Sequence, residues 1–97
     1  MRIVVTRLAR SDIFAIGQYI AGDNITAADR MIDALEARCA GLKEFPARFP
    51  VVYPGPPPIR RMSEGAYNIF YTVREDHVRI ERVLHSALDT GEDILSL

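Results

Sequence analysis

The chain has 97 residues, 48% of them hydrophobic and 26% charged, with a formal net charge of −1 at pH 7. These values exclude a disordered chain and a globally basic nucleic-acid-binding protein, and they predict one domain, residues 1–97, with one modest core. A single cysteine, no apolar run of membrane-spanning length and no signal-peptide-like start together indicate a cytoplasmic protein that neither crosses a membrane nor contains a disulfide.

The chain begins with a predicted strand and a first helix. The β-branched run from Ile3 to Val5 predicts a short buried strand. Thr6 is a suitable N-cap for a helix over LARSDIFAIGQYIAG. The predicted buried face of that helix consists of Leu8, Ile13, Ile16 and Ile20, which recur at helical spacing.

A turn at Gly22, Asp23 and Asn24 ends this helix and caps a second one, which is predicted from about Ile25 to Lys43. Two helices joined by so short a turn form an antiparallel hairpin. The apolar stripe of the second helix steps by four, three, four and three residues, through Ala28, Ile32, Leu35, Cys39 and Leu42.

The segment from Phe45 to Pro58 contains six prolines, which indicates an irregular, stiff crossover between the helices and the later strands. Its PGPPP run also has the composition of a polyproline ligand for another domain, although a rigid loop is the simpler interpretation.

From Ile59 onward the apolar residues alternate with a period of two, which is typical of strands. The strands are predicted as IRRM, YNIFYTVR and VRIERVLH, separated by the turns SEG and EDH, so they form a three-stranded antiparallel meander. The fold class is therefore α+β, in the order β-α-α-β-β-β with a short C-terminal tail. YNIFYTV is apolar on both faces, as expected of a central strand.

The last predicted strand carries Val78, Ile80 and Leu84 on one face and Arg79, Glu81 and His85 on the other. His85 is the one residue here that suggests general acid–base chemistry. With no second reactive group beside it in sequence, we favour a structural role in which the ring holds the end of the strand.

Other reactive residues give little reason to expect an enzyme. Cys39 lies on the apolar stripe of the second helix, where a small buried side chain is wanted, and His77 lies in a polar turn. No spacing of His, Cys, Asp or Glu matches a metal site, and no glycine-containing turn matches a phosphate-binding loop, so we expect no metal and no cofactor.

Several runs, in this order and spacing, resemble the ParE toxins of bacterial type II toxin–antitoxin modules, within the ParE/RelE superfamily. They are the YIAGDN turn after the first helix, AADR near the start of the second, the LKEFP exit, the GAYNIFYTV strand and the final IERVLHSALD. The resemblance covers nearly the whole chain. It implies a twisted antiparallel sheet with an N-terminal helical hairpin packed on it.

The resemblance also implies a function. RelE-like members cleave mRNA on the ribosome, whereas ParE-like members are described as inhibitors of DNA gyrase. The nucleases carry arginines that correspond here to Asn68 and to about Ser86, and neutral side chains cannot balance the charge of a phosphorane. We therefore expect a gyrase-binding toxin without catalytic activity; a ribosome-dependent ribonuclease and a non-toxic partner or co-repressor of the antitoxin are the alternatives.

One departure from the ParE pattern falls in HSALD, where Leu88 stands at a position that members often fill with arginine. The candidate surface for toxicity comprises Asn68, His85, Ser86 and Leu88.

The resemblance further implies a ParD-like antitoxin, whose C-terminal segment wraps the toxin and whose own DNA-binding part is the only route to DNA. The hairpin offers a groove for an amphipathic helix, and the sheet offers an edge for a strand. Phe14, Tyr19 and Met31 lie off the predicted core stripes, so they either line this groove or complete the core. The arginines expected to meet an acidic antitoxin segment are Arg60, Arg61, Arg74 and Arg82.

Overall fold

The computed structural model of the protein describes residues 1–87, and the predicted tail and Leu88 lie outside them. The elements in chain order are β1 (Arg2–Val5), α1 (Arg7–Ala21), α2 (Ile25–Gly41), a 3-10 turn (Pro46–Arg48), β2 (Val51–Tyr53), β3 (Ile59–Glu64), β4 (Tyr67–Val73) and β5 (His77–His85). This order confirms the predicted α+β class and adds one strand, β2, to the expected meander.

The five strands form one sheet in the order β1-β5-β4-β3-β2. β1 pairs with β5 in parallel, and the other neighbours are antiparallel. β4 is the central strand, with six of its seven residues buried, as its two apolar faces predicted. β1 is not the fully buried strand that its composition suggested: Ile3 to Val5 are only partly buried because β1 is at the edge of the sheet.

Each helix begins at a side-chain cap that the sequence predicted. The Thr6 hydroxyl accepts the Ala9 N–H at 3.0 Å, and the Asn24 side chain accepts the Ala27 N–H at 3.0 Å. Caps of this kind each contribute about 1 kcal/mol. Thr6 also donates its hydroxyl proton to the Glu81 carbonyl at 3.1 Å, so the start of α1 is tied directly to β5.

The core lies between the helical hairpin and one face of the sheet. The predicted stripe of α2 is confirmed, with Leu35 and Leu42 fully buried and Ile32 partly exposed. Full burial of such side chains contributes about 1.5–3 kcal/mol each. In α1 the prediction for Leu8 is wrong: it is 51% exposed, and Ala9 is buried in its place.

The helices approach each other closely at Gly17. A Cβ atom added there would lie 2.6 Å from Cδ1 of Ile32, so any larger residue at this position would require the end of the Ile32 side chain to move.

The proline-rich crossover is more regular than its sequence suggested. It contains the 3-10 turn and β2, which pairs with β3. Tertiary hydrogen bonds hold it: the Tyr71 hydroxyl donates to the Pro46 carbonyl at 2.6 Å, and the Arg60 guanidinium donates to the carbonyls of Ala47 and Phe49. These partners lie more than ten residues away in sequence, so the local pattern of prolines could not predict the strand.

A β-bulge changes the predicted faces of β5. Phe70 pairs with Arg82, but the next residue of β4 pairs with Ile80, so Glu81 is an extra residue with no partner in β4. After the bulge the alternation reverses. Val83 therefore takes the buried position that was predicted for Leu84, and His85 lies on the helix-covered face.

Candidate partner-binding surfaces beside the first helix

Helix α1 has a concave surface on each side. The first, which we call the α1–α2 groove, has a volume of about 600 Å³ and lies between the two helices and the edge strand β1. Its apolar lining comprises Ile3, Val5, Ile13, Phe14, Ile32, Cys39 and Ala40. Its charged lining comprises Arg2, Arg10, Glu36 and Lys43, all of them exposed.

The charged residues of this groove give it a positive bias. Three cations line it against a single carboxylate, although Arg2 also lies 3.5 Å from a carboxylate oxygen of Asp76. An apolar floor with a basic rim suits an amphipathic segment whose polar side is acidic.

The thiol of Cys39 lies in the wall of this groove but is not a reactive group. The side chain is 3% exposed, and burial, reinforced by the charge of Glu36, raises the pKa of Cys39 to about 11. The thiolate is the nucleophilic form, so this cysteine is inert at neutral pH.

The second concave surface, the α1–β5 pocket, lies on the other side of α1 and has a volume of about 530 Å³. It is lined by Asp12, Ala15, Ile16, Tyr19, Tyr67, Val83, Leu84, His85 and Ala87. Burial, with a smaller contribution from the phenol of Tyr19, raises the pKa of Tyr67, so this phenol stays protonated at neutral pH.

His85 is fixed at the end of β5 by two contacts. Its Nδ1 accepts the Ala87 N–H at 3.0 Å, and its ring meets the ring of Tyr67 edge to face, with centroids 5.3 Å apart. The ring therefore holds the chain just after the strand, as the structural interpretation expected, but by accepting from an N–H group rather than by donating to a carbonyl.

Asp12 of α1 fastens the helix to β5 at the floor of the same pocket. Its carboxylate accepts from the Arg82 guanidinium at 2.8 and 3.0 Å and from the Val83 N–H at 2.9 Å. At this point β5 extends beyond its pairing with β1, and Asp12 supplies the acceptor that a neighbouring strand would otherwise provide.

Comparison with known families assigns the fold. The model of the ParE toxin of the type II toxin–antitoxin system parDE matches residues 3–89. The chain belongs to the ParE toxin family. Among solved structures, a chain of the chromosomal ParDE toxin–antitoxin system from P. aeruginosa is similar, with a TM-score of 0.71 and 18% identity. The match covers 88% of this chain and 95% of that one, and no curated protein matches.

In this ParE-family chain, the residues predicted to line one groove are divided between three places. Phe14 lines the α1–α2 groove, and Tyr19 lines the α1–β5 pocket on the other side of the helix. Met31 is partly buried and packs against the core, as the alternative interpretation held. Residues five positions apart point about 140° away from each other around a helix, which explains why Phe14 and Tyr19 cannot meet.

The four arginines predicted to meet the antitoxin do not form one patch. Arg60 binds the crossover and Arg82 binds Asp12, so both have structural partners. Arg74 donates to Thr72 and to Glu81, on the sheet face away from the helices. Arg61 is exposed on that face as well. Its neighbour Met62 is buried in the core on the helix-covered face, and adjacent strand residues point in opposite directions.

The predicted toxicity surface is also divided. Asn68 pairs with Leu84 and His85 pairs with Tyr67, so Asn68 and His85 point to opposite faces of the sheet. The Asn68 side chain accepts from the Ser63 hydroxyl at 2.8 Å. Ser86 is exposed at the end of β5, and its backbone N–H donates to the Ala66 carbonyl.

Some site residues were not predicted. The contact between Asp12 and β5 was not predicted, because a single acidic residue on a helix is usually exposed to solvent and nothing in the sequence relates it to β5. Arg10 and Lys43 had no signal beyond their charge, since only the helix crossing brings them to one rim. Tyr67 was predicted on the apolar side of β4, but not beside His85.

Within residues 1–87, no group of three or more His, Cys, Asp or Glu residues is arranged to hold a metal ion. Neither α1 nor α2 combines the length and the apolar character needed to span a bilayer.

Proposed function

We propose that this protein inhibits bacterial DNA gyrase in the cytoplasm by binding to it, and that the C-terminal segment of a ParD-like antitoxin neutralises it. The observation that carries the proposal is the α1–α2 groove of a ParE-family chain, whose apolar floor and basic rim suit an acidic amphipathic segment. Any contact with DNA is made by the antitoxin.

The groove matches two known modes of peptide binding. Its apolar floor suits the apolar face of a helix, with Phe14, Ile32 and Ala40 as the surfaces for successive side chains. Beside it, β1 is the outermost described strand of the sheet, so an extended segment that continues past the helix has a strand edge to pair with. The three cations of the rim increase the association rate more than the final affinity.

The open face of the sheet supports a non-enzymatic inhibitor over the ribonuclease alternative. The guanidinium groups of Arg74 and Arg79 converge on the buried carboxylate of Glu81, at 3.3 and 3.1 Å, and Thr72 donates to it as well. Glu81 thus offsets one of their two charges and holds both guanidinium groups against the sheet. Position 68 supplies no cation, because asparagine is neutral, and its side-chain oxygen accepts a hydrogen bond from the Ser63 hydroxyl.

A supercoiling assay with purified gyrase tests the proposed target. We expect inhibition at stoichiometric amounts of the protein, and its reversal by the antitoxin. Induced expression in bacteria should cause filamentation and a DNA-damage response. Rapid loss of translation would support the ribonuclease instead, and normal growth with no gyrase inhibition would support a non-toxic partner of the antitoxin.

Charge reversal at the rim tests the groove. The double substitution Arg10→Glu, Lys43→Glu should slow association of the antitoxin's C-terminal peptide by about tenfold at low salt, because the rim then repels an acidic segment. Arg30→Glu, on the exposed side of α2 and outside the groove, is the matched control and should change the rate by less than about twofold. Stopped-flow binding measures both. Equal effects of the two variants, or a complex that survives deletion of the antitoxin's C-terminal segment, would contradict the groove assignment.

A further inference from the structure

We propose that the α1–β5 pocket, and not the α1–α2 groove, is the surface through which the protein binds its target, and that the pocket takes an uncharged side chain that carries a hydrogen-bond acceptor. This inference rests on the proposed function, since it names the surface that performs it. The two sides of α1 then serve two different protein partners.

Among the residues that the structure describes, the pocket has no free charge to offer. Its one carboxylate, Asp12, is bound by the Arg82 guanidinium through two hydrogen bonds and by the Val83 N–H. The remaining lining is apolar or neutral. An acidic peptide therefore finds no free cation to pair with there, whereas an uncharged side chain loses little solvation on entry.

The polar atoms of the pocket are hydrogen-bond donors. Because Nδ1 of His85 accepts the Ala87 N–H, the neutral ring carries its proton on Nε2. The Tyr67 phenol keeps its proton because burial raises the pKa of that group, and Tyr19 adds a second phenol close to it. Three donors around a floor of Ile16 and Val83 favour an apolar group that carries an acceptor oxygen.

Tyr19 is the side chain that a partner would cover. It is 81% exposed, the highest exposure among the large hydrophobic residues of the described chain, so it contributes little to the core. An exposed tyrosine beside a preformed pocket is typical of the residues that dominate binding energy at interfaces. Phe14, 66% exposed on the other side of the same helix, is its counterpart in the groove.

The charges separate the partners. The groove has three cations on its rim and selects an acidic segment, while the neutral pocket gives such a segment no advantage. Because both surfaces flank α1, an antitoxin bound in the groove blocks the target by its bulk and not by making the same contacts.

The test compares Tyr19→Ala with Phe14→Ala, two truncations of exposed aromatic residues on one helix. Each variant is assayed for growth arrest on induction, for gyrase inhibition and for antitoxin affinity, and thermal unfolding verifies that both fold. We expect Tyr19→Ala to weaken inhibition by about tenfold or more and to keep antitoxin affinity within about threefold. Phe14→Ala should show the reverse.

Full toxicity of Tyr19→Ala, or equal loss of both activities in both variants, would overturn the assignment. So would self-association of the wild type that Tyr19→Ala abolishes while toxicity persists, because the pocket would then join two copies of the chain. If the wild type arrests growth without inhibiting gyrase, the proposed target is wrong, and relief of that arrest by Tyr19→Ala alone still supports the pocket. A wild type that neither arrests growth nor inhibits gyrase refutes both proposals.

Discussion

At the scale of single residues, His85 shows how one side chain joins a strand end to a binding surface. One ring nitrogen accepts the Ala87 N–H, the ring packs edge to face with Tyr67, and the residue lines the α1–β5 pocket. Within residues 1–87 no carboxylate makes a hydrogen bond to this ring, so it lacks the orienting partner that a catalytic histidine commonly has. The ring holds the end of β5 through its hydrogen bond to Ala87 and its contact with Tyr67.

Replacement of His85 by glutamine tests that role. Glutamine can accept the Ala87 N–H and donate a hydrogen bond, but it cannot transfer protons at neutral pH, so gyrase inhibition by His85→Gln should stay within about threefold of the wild type. The supercoiling assay measures this, with antitoxin binding as the control for folding. Lost inhibition in a variant that folds and binds antitoxin would reopen the case for acid–base catalysis.

At the scale of elements, the most important tertiary contact is the one between α1 and β5. Thr6 donates to the carbonyl of Glu81, the bulged residue, and six residues further along the chain Asp12 accepts from Arg82 and Val83. These contacts satisfy backbone groups that β5 exposes after its pairing with β1 ends. They also fix the angle of the helix, and so the shapes of the groove and the pocket on its two sides.

Removal of the Asp12 carboxylate should therefore destabilise the whole fold. Asp12→Ala leaves the Val83 N–H without its acceptor and takes two charge-assisted hydrogen bonds from Arg82, at an expected cost of about 2–4 kcal/mol. Urea denaturation measures this. Asp29→Ala, an exposed position on α2, is the matched control and should change stability by less than about 0.5 kcal/mol. Equal costs for the two substitutions would show that the link between α1 and β5 contributes nothing.

At the scale of the whole molecule, the charged residues sum to −1 but are spread unevenly, so that different surfaces carry different charge. The α1–α2 groove is basic, the α1–β5 pocket is neutral, and on the open face Arg74 and Arg79 share the carboxylate of Glu81. The core beneath them is apolar and contains one titratable thiol, which links the stability of the fold to pH.

Burial of Cys39 predicts a loss of stability at high pH. The thiol of the unfolded chain ionises near its ordinary pKa of 9.0, whereas the folded protein keeps its proton until about pH 11. Between these values the unfolded state binds fewer protons, so the free energy of unfolding falls as pH rises, by about 3 kcal/mol over the two units. Denaturation of wild type and Cys39→Ala at pH 8 to 11 measures it. Parallel curves for the two proteins would mean that the thiol is not protected from ionisation.

The fold class, both helix caps, the buried stripe of α2 and the central position of β4 could be predicted from the sequence, because each depends on residues close together in the chain. The family resemblance could be predicted as well, because it rests on the order and spacing of short runs. Periodicity, capping and turn chemistry are local properties, and the buried side chains at Leu35 and Leu42 follow from them directly.

The geometry of the binding surfaces could not be predicted from the sequence, because it depends on how the elements pack. The strand β2 exists because Tyr71 and Arg60 hold the crossover, and the bulge at Glu81 moves Val83 and His85 onto the helix-covered face. Strand register, bulges and helix packing depend on partners far away in sequence, and no local pattern encodes them. For that reason the sequence grouped Phe14 with Tyr19, while the packing of α1 on the sheet directs one into a basic groove and the other into a neutral pocket.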